Sequence, residues 1–292
     1  MEEEEQPKIV HKGLKKGLYV IPTAFTAANI GMGFLAVLYS IRGFHLTFTD
    51  PVSASWYFNY AAIAIGLAIF FDTLDGRVAR MTKTATEIGV QFDSLADVLT
   101  FGIAPIALMY SWAIGSSFGE QSSEYAFGVF LLFMYLMCGT FRLARFNLQA
   151  TRPRVLMEGT PKVDKKNFVG LPIPPAAGLM AAIVHFAPMP LVSYGDAGAR
   201  YYTYLIMTLI TILSVLMVST IKYSSMKTVG LGRRNLYLVL VIAAVGMLVF
   251  LYSKYVLLII MAMYTSHGLI WYLVSFVRPK AKASAEHSGV QV

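Results

Sequence analysis

Charge is scarce in this sequence. Asp, Glu, Lys and Arg supply 14% of the 292 residues, against about 25% in an average soluble domain, so a water-covered globular surface is excluded. Cysteine is almost absent: the single Cys138 lies in the apolar run from Leu131 to Gly139. That rules out a disulfide framework and a thiolate metal cage, and leaves Cys138 as a small buried hydrophobe. A basic n-region with a small-residue cleavage site is also missing, since the chain opens with Glu2 to Glu5. The first apolar span is therefore expected to be retained. What fills the sequence is apolar, 57% of it, which is a membrane composition. The net charge of +8 fits basic residues flanking apolar spans beside anionic lipid headgroups, and no nucleic-acid partner is expected.

A helix needs about 20 apolar residues to cross the hydrocarbon core. Eight stretches qualify: Tyr19–Ile41, Trp56–Leu74, Val98–Gly115, Tyr125–Phe141, Leu171–Leu191, Tyr201–Ile221, Leu236–Tyr252 and Tyr255–Val277. With the N-terminus inside, every one of the 24 basic residues except Arg42, Arg200 and Lys254 falls on an inner segment, as the positive-inside rule demands. The expected fold is thus an all-α polytopic membrane bundle of eight transmembrane helices with both termini cytoplasmic. Residues 1–18 form a cytoplasmic N-terminal segment, 19–277 the membrane domain and 278–292 a mobile cytoplasmic tail. Between the last pair, Ser253 and Lys254 leave almost no external turn. The basic inner loop from Leu148 to Gly170 is a candidate interfacial segment.

Four carboxylates flank one short inner loop: Asp72 and Asp75 at the end of the second span, Asp93 and Asp97 at the start of the third. Helical spacing puts Asp72, Asp75 and Ala79 on one face, and Gly89, Asp93 and Asp97 on another. Two neighbouring antiparallel helices therefore aim two aspartates each at a common point, with Gly76, Ala79 and Gly89 small enough to admit a ligand or a close backbone. Four like charges at the edge of a bilayer repel one another unless cations compensate them. All-oxygen ligation suits the hard ions Mg²⁺, Mn²⁺ or Ca²⁺. The plainer alternative is an ion-pair network with Arg77 and Arg80 that only closes the inner loop.

The run Asp72-x-x-Asp75-Gly76-x-x-Ala79-Arg80, followed at fixed spacing by Gly89, Asp93 and Asp97, resembles the complete signature of the CDP-alcohol phosphatidyltransferases. The resemblance implies two divalent ions, Mg²⁺ or Mn²⁺, with Asp72, Asp75 and Asp93 as ligands and Asp97 as the general base that also approaches the second ion. It implies CDP-lipid contacts at Gly76, Ala79, Arg80, Thr86 and Gly89, and at Thr23, Thr26 and Asn29 on entry to the first helix. Thr23 departs from the pattern, since relatives often carry Asn after that proline.

Three further segments, Phe141 to Asn147, Phe168 to Gly178 and Met217 to Tyr223, resemble the phosphatidylserine synthase branch. The substrates so implied are CDP-diacylglycerol and L-serine, with membrane lipids as surroundings, the active site on the cytoplasmic face of the cell membrane and a homodimer as the assembly. A serine carboxylate calls for a guanidinium, and Arg142 and Arg145 lie three apart at the inner end of the fourth span with Asn147 nearby. Both arginines read equally well as positive-inside anchors. Pro172, Pro174 and Pro175 read as a helix start, and His45 and His185 as bland residues of the outer side. The rivals are a sister transferase acting on glycerol 3-phosphate or inositol phosphate, an archaetidylserine synthase, and a cation transporter, whose carboxylates would more commonly sit at the midplane.

Overall fold

The computed structural model describes residues 12–82, 87–151, 167–219, 221–224 and 235–277. The acidic start, the far tail and most of the inner loop therefore lie outside the described residues. The first two helices, α1 (Lys12–Leu46) and α2 (Pro51–Thr82), form a long antiparallel hairpin. Its turn is closed from both sides. Asp50 accepts the Ser53 amide at 3.1 Å, Pro51 needs no amide partner at the helix start, and Asp50 itself donates to the Leu46 carbonyl at 2.8 Å. Hydrogen bonding from Ser53 holds the Asp50 carboxyl below its ordinary value. Along the hairpin Gly43 lies against the Phe58 ring, Tyr39 meets Tyr57 and Tyr60, and Phe25 meets Phe71 at the far end.

The third crossing is one continuous helical rod with two wider turns. It starts as α3 (Glu87–Asp97) and passes through a π-helical stretch at Val98–Ile103, then α4 (Ala104–Met109), a second π-helical stretch at Tyr110–Ile114 and α5 (Gly115–Ser117). Gly33 of α1 lets this rod approach closely. A Cβ there would stand 2.9 Å from the Thr100 backbone, and the Thr100 hydroxyl donates to the Asn29 carbonyl at 3.3 Å. The fully buried Tyr135 hydroxyl, from α6 (Ser123–Thr151), donates to the Phe101 carbonyl at 3.1 Å.

The next apolar run differs from expectation. Hydropathy predicts a full crossing over Leu171–Leu191, but the helix there, α7, covers only Ile173–Phe186, 14 residues. That length gives about 21 Å of rise, short of a hydrocarbon core of about 30 Å. Prolines set both limits: Pro172 caps the start in an extended conformation, and Pro188 and Pro190 follow the end. Ten of its residues are buried against neighbouring helices, so its apolarity serves a protein core. Helix α8 (Gly195–Val218) follows and packs against α6. A two-stranded antiparallel ribbon, β1 (Asn167–Val169) with β2 (Lys222–Ser224), ties the entry of α7 to the exit of α8. Gly170 continues that seam at φ +82°, its amide bonded to the Ile221 carbonyl at 2.8 Å, a conformation for which glycine is the natural residue.

The last two expected spans lie on the stretch α9 (Asn235–Val277), which non-helical dihedrals at Tyr252 divide into two helices across a kink. Among the described residues six helices are long and apolar enough to cross a membrane: Thr23–Leu46, Pro51–Val78, Gln91–Ser117, Ser123–Leu148, Leu191–Val218 and Gly246–Gly268. The molecule is an all-helical membrane bundle apart from the short ribbon. Large exposed side chains such as Phe34, Trp56, Phe130 and Val215 belong on a lipid-facing surface.

Candidate active site

The aspartates converge where α2 ends and α3 begins. One carboxylate oxygen each from Asp72, Asp93 and Asp97 lies within 4.8 Å of the others. Asp72 and Asp97 are within hydrogen-bonding reach. Asp75, one turn along α2 and buried, turns toward α1 and accepts a hydrogen bond from the Thr26 hydroxyl. It remains close enough to interact electrostatically with Asp72, Asp93 and Asp97. Helical spacing explains the pairing on each helix; the close contact of Gly33 with Thr100, one turn beyond Asp97, sets the distance between α3 and α1.

Hard divalent cations fit this donor set. Asp93 Oδ1 and Asp97 Oδ1 are buried and make no hydrogen bond, a costly state for an ionised carboxylate unless a cation takes it up. Two oxygens around a single Mg²⁺ at about 2.1 Å stand at most about 4.2 Å apart. A spread of 4.8 Å therefore fits one ion after a shift of a few tenths of an ångström, or two adjacent ions.

The residues expected to touch a CDP-lipid are distributed around this cluster. Thr26 is buried on Asp75, and Asn29, one turn deeper on α1, is fully buried with neither end of its carboxamide hydrogen-bonded. Thr23 and Gly89 are exposed, while Gly76 is half-buried beside Asp75. Ala79 and Arg80 belong to α2, of which only the backbone is described there, and Thr86 lies outside the described residues.

The three residues considered for the acceptor separate. Arg142 is 8% exposed and interacts with Asp97, and its Nε has no hydrogen-bond partner. Arg145 instead reaches the end of α8, where its guanidinium donates to the Val218 carbonyl at 3.5 Å and flanks Gly170. Helix C-termini attract cations, so this arginine has structural employment. Asn147 donates from Nδ2 to Ser94 Oγ at 2.8 Å, bracing α6 against α3 beside Asp93. Two neighbours escaped the sequence reading. Ser94 sits between two signature aspartates without belonging to the pattern, and Tyr264 of α9 interacts with Arg142. An aromatic in an apolar run gives no local sign of such a role.

Residues 19–214 match the CDP-alcohol phosphatidyltransferase family. A CDP-diacylglycerol–serine O-phosphatidyltransferase of Helicobacter pylori is 32% identical over 261 residues, covering 89% of this chain and 94% of the relative. A Bacillus subtilis protein of the same name is 31% identical over 208 residues, 71% of this chain and 91% of its own. The archaetidylserine synthase of Methanothermobacter thermautotrophicus is 31% identical over 212 residues, 72% of each chain. Matching over residues 19–214, two thirds of its length, the chain belongs to the CDP-alcohol phosphatidyltransferase family.

Proposed function

We propose that this enzyme transfers the phosphatidyl group of CDP-diacylglycerol to the hydroxyl of L-serine, giving phosphatidylserine and CMP. The observation that carries the reading is the convergence of Asp72, Asp93 and Asp97 next to a buried Arg142 whose Nε is unpaired. The similarity to serine-transferring relatives supports the choice of acceptor. The archaetidylserine synthase relative supports serine equally but leaves the lipid open to an ether backbone.

Asp72, Asp75, Asp93 and Asp97 would hold two Mg²⁺ or Mn²⁺ ions, which at a diphosphate would polarise phosphorus, neutralise the leaving group and ease ionisation of a nearby hydroxyl. Asp97 takes the proton of the serine hydroxyl on a carboxylate oxygen. The freed oxygen attacks the phosphorus attached to the lipid, and the bond to the CMP oxygen breaks in line with it. Arg142 grips the serine carboxylate and so holds the hydroxyl against Asp97. Thr23, Thr26, Asn29, Gly76 and Gly89 border the CDP-lipid. In this reading Arg80, Ala79 and Thr86 complete that subsite, and Arg145 and Asn147 brace the acceptor side.

The proposal places the aspartates at the cytoplasmic face with both termini inside, and the protein as a homodimer. Labelled L-serine, glycerol 3-phosphate and inositol 1-phosphate, each supplied with CDP-diacylglycerol and Mg²⁺, test the function directly. Serine should enter the lipid with one CMP released per turnover. Incorporation of either phosphorylated alcohol in its place would refute the serine assignment.

A further inference from the structure

Helix α9 lies beyond residue 214, where the family-wide segment ends, yet it reaches the acceptor side of the site. Its second half runs antiparallel to α7. Ser253 bonds His185 near the end of α7 at 2.9 Å, and Met261 abuts Gly178 seven residues earlier in that helix, 3.0 Å from where a Cβ would stand. Continuing one turn past Met261 brings Tyr264 level with the first turn of α7. On the other flank of that turn Gly139 of α6 packs against Ile173, 2.6 Å from where its Cβ would stand, and Arg142 follows Gly139 by three residues. Tyr264 and Arg142 thus meet across the start of α7, where the two interact electrostatically. Tyr264 is partly buried against the core.

We propose that Tyr264 is a positioning residue for the alcohol acceptor: its phenol oxygen faces the Arg142 guanidinium and fixes the direction in which that fork is presented beside Asp97. A guanidinium has five N–H donors and no acceptor. Buried between Asp97 and a phenol, Arg142 keeps donors for a third anionic group, and its Nε is unpaired. An amino-acid carboxylate is planar and takes two parallel N–H bonds, so the orientation of the fork decides whether the hydroxyl of the same molecule reaches Asp97. Tyr264 would then set selection for acceptors that carry a carboxylate next to the amine, from a helix outside the segment that the whole family shares. This rests on serine being the acceptor.

Tyr264→Phe keeps the packed ring and removes only the oxygen. The unaltered enzyme and the variant are compared in KM for L-serine, KM for CDP-diacylglycerol, kcat, and rate with ethanolamine, the same amino alcohol without its carboxylate. Because the phenol oxygen acts on serine only through the guanidinium, its loss should raise KM for serine by about threefold to tenfold, the scale of one ordinary net hydrogen bond. KM for CDP-diacylglycerol should stay put, and the preference for serine over ethanolamine should narrow. An unchanged KM for serine, or a parallel rise in both KM values, would overturn the inference while leaving the serine reading intact. Failure of the unaltered enzyme to use serine would overturn both.

Discussion

Asp97 combines two properties at a single residue. One of its oxygens is buried without a hydrogen bond, and its charge is balanced on one side by Arg142 and opposed on the other by Asp72 and Asp93. If it removes the acceptor proton, Asp97→Asn should bind CDP-diacylglycerol with ordinary affinity yet lose about 10²- to 10⁴-fold in turnover. Equilibrium binding and CMP release measured side by side would check this; normal turnover would remove it as the base. Asp75 has a different task. Its contact with the buried Thr26 hydroxyl joins α1 to the cluster, so Thr26→Val should weaken CDP-lipid binding and lower the affinity for Mg²⁺ together. The spacing of the four aspartates was legible in the sequence because a helix repeats locally. That Thr26 is the partner of Asp75 was not, because the two stand 49 residues apart in the chain.

Gly33 shows how one position places a whole helix. A methyl group there would press on the Thr100 backbone at 2.9 Å and on its hydroxyl at 2.7 Å, with no flexible side-chain end to give way. Gly33→Ala should push the start of the third crossing away from α1, costing about 1–3 kcal/mol of stability and moving Asp97 relative to Asp72. The expected result is a lower melting temperature in detergent together with a fall in kcat; an unchanged kcat would show that α3 holds its place without this contact. Helix α7 teaches a related lesson. Hydropathy alone matched a crossing, because an apolar run reads the same whether it faces lipid or protein. Only its fourteen-residue length and its burial among α2, α9 and the third crossing identify it as a core helix.

Over the whole molecule the two ends of α7 divide the labour. One end stands beside Arg142 and the aspartates. At the other, His185 accepts or donates to Asn59 of α2 at 2.6 Å and to Ser253 of α9 at 2.9 Å, so a residue that looked bland fastens three helices. His185→Ala should cost about 1–2 kcal/mol through the unpaired amide and hydroxyl. It should lower the melting temperature and leave kcat unchanged, since the chemistry lies about 20 Å away along the helix. A loss of turnover at full stability would contradict that separation. Removing divalent cations acts at the opposite end: a chelator should abolish activity, and added Mg²⁺ or Mn²⁺ should restore it. Full turnover with chelator present would rule out the metal assignment.

Composition and spacing by themselves determined that the chain is a helical membrane protein and that two adjacent helices carry a convergent set of carboxylates, since hydropathy and helical period act over a few neighbouring residues. Tertiary structure alone decided which arginine faces the cluster, where α7 ends up, what Asp75 touches and that Tyr264 arrives from a distant helix. Those choices depend on which surfaces pack together across long stretches of chain, and side-chain direction at a helix contact is fixed by the neighbour as much as by the residue.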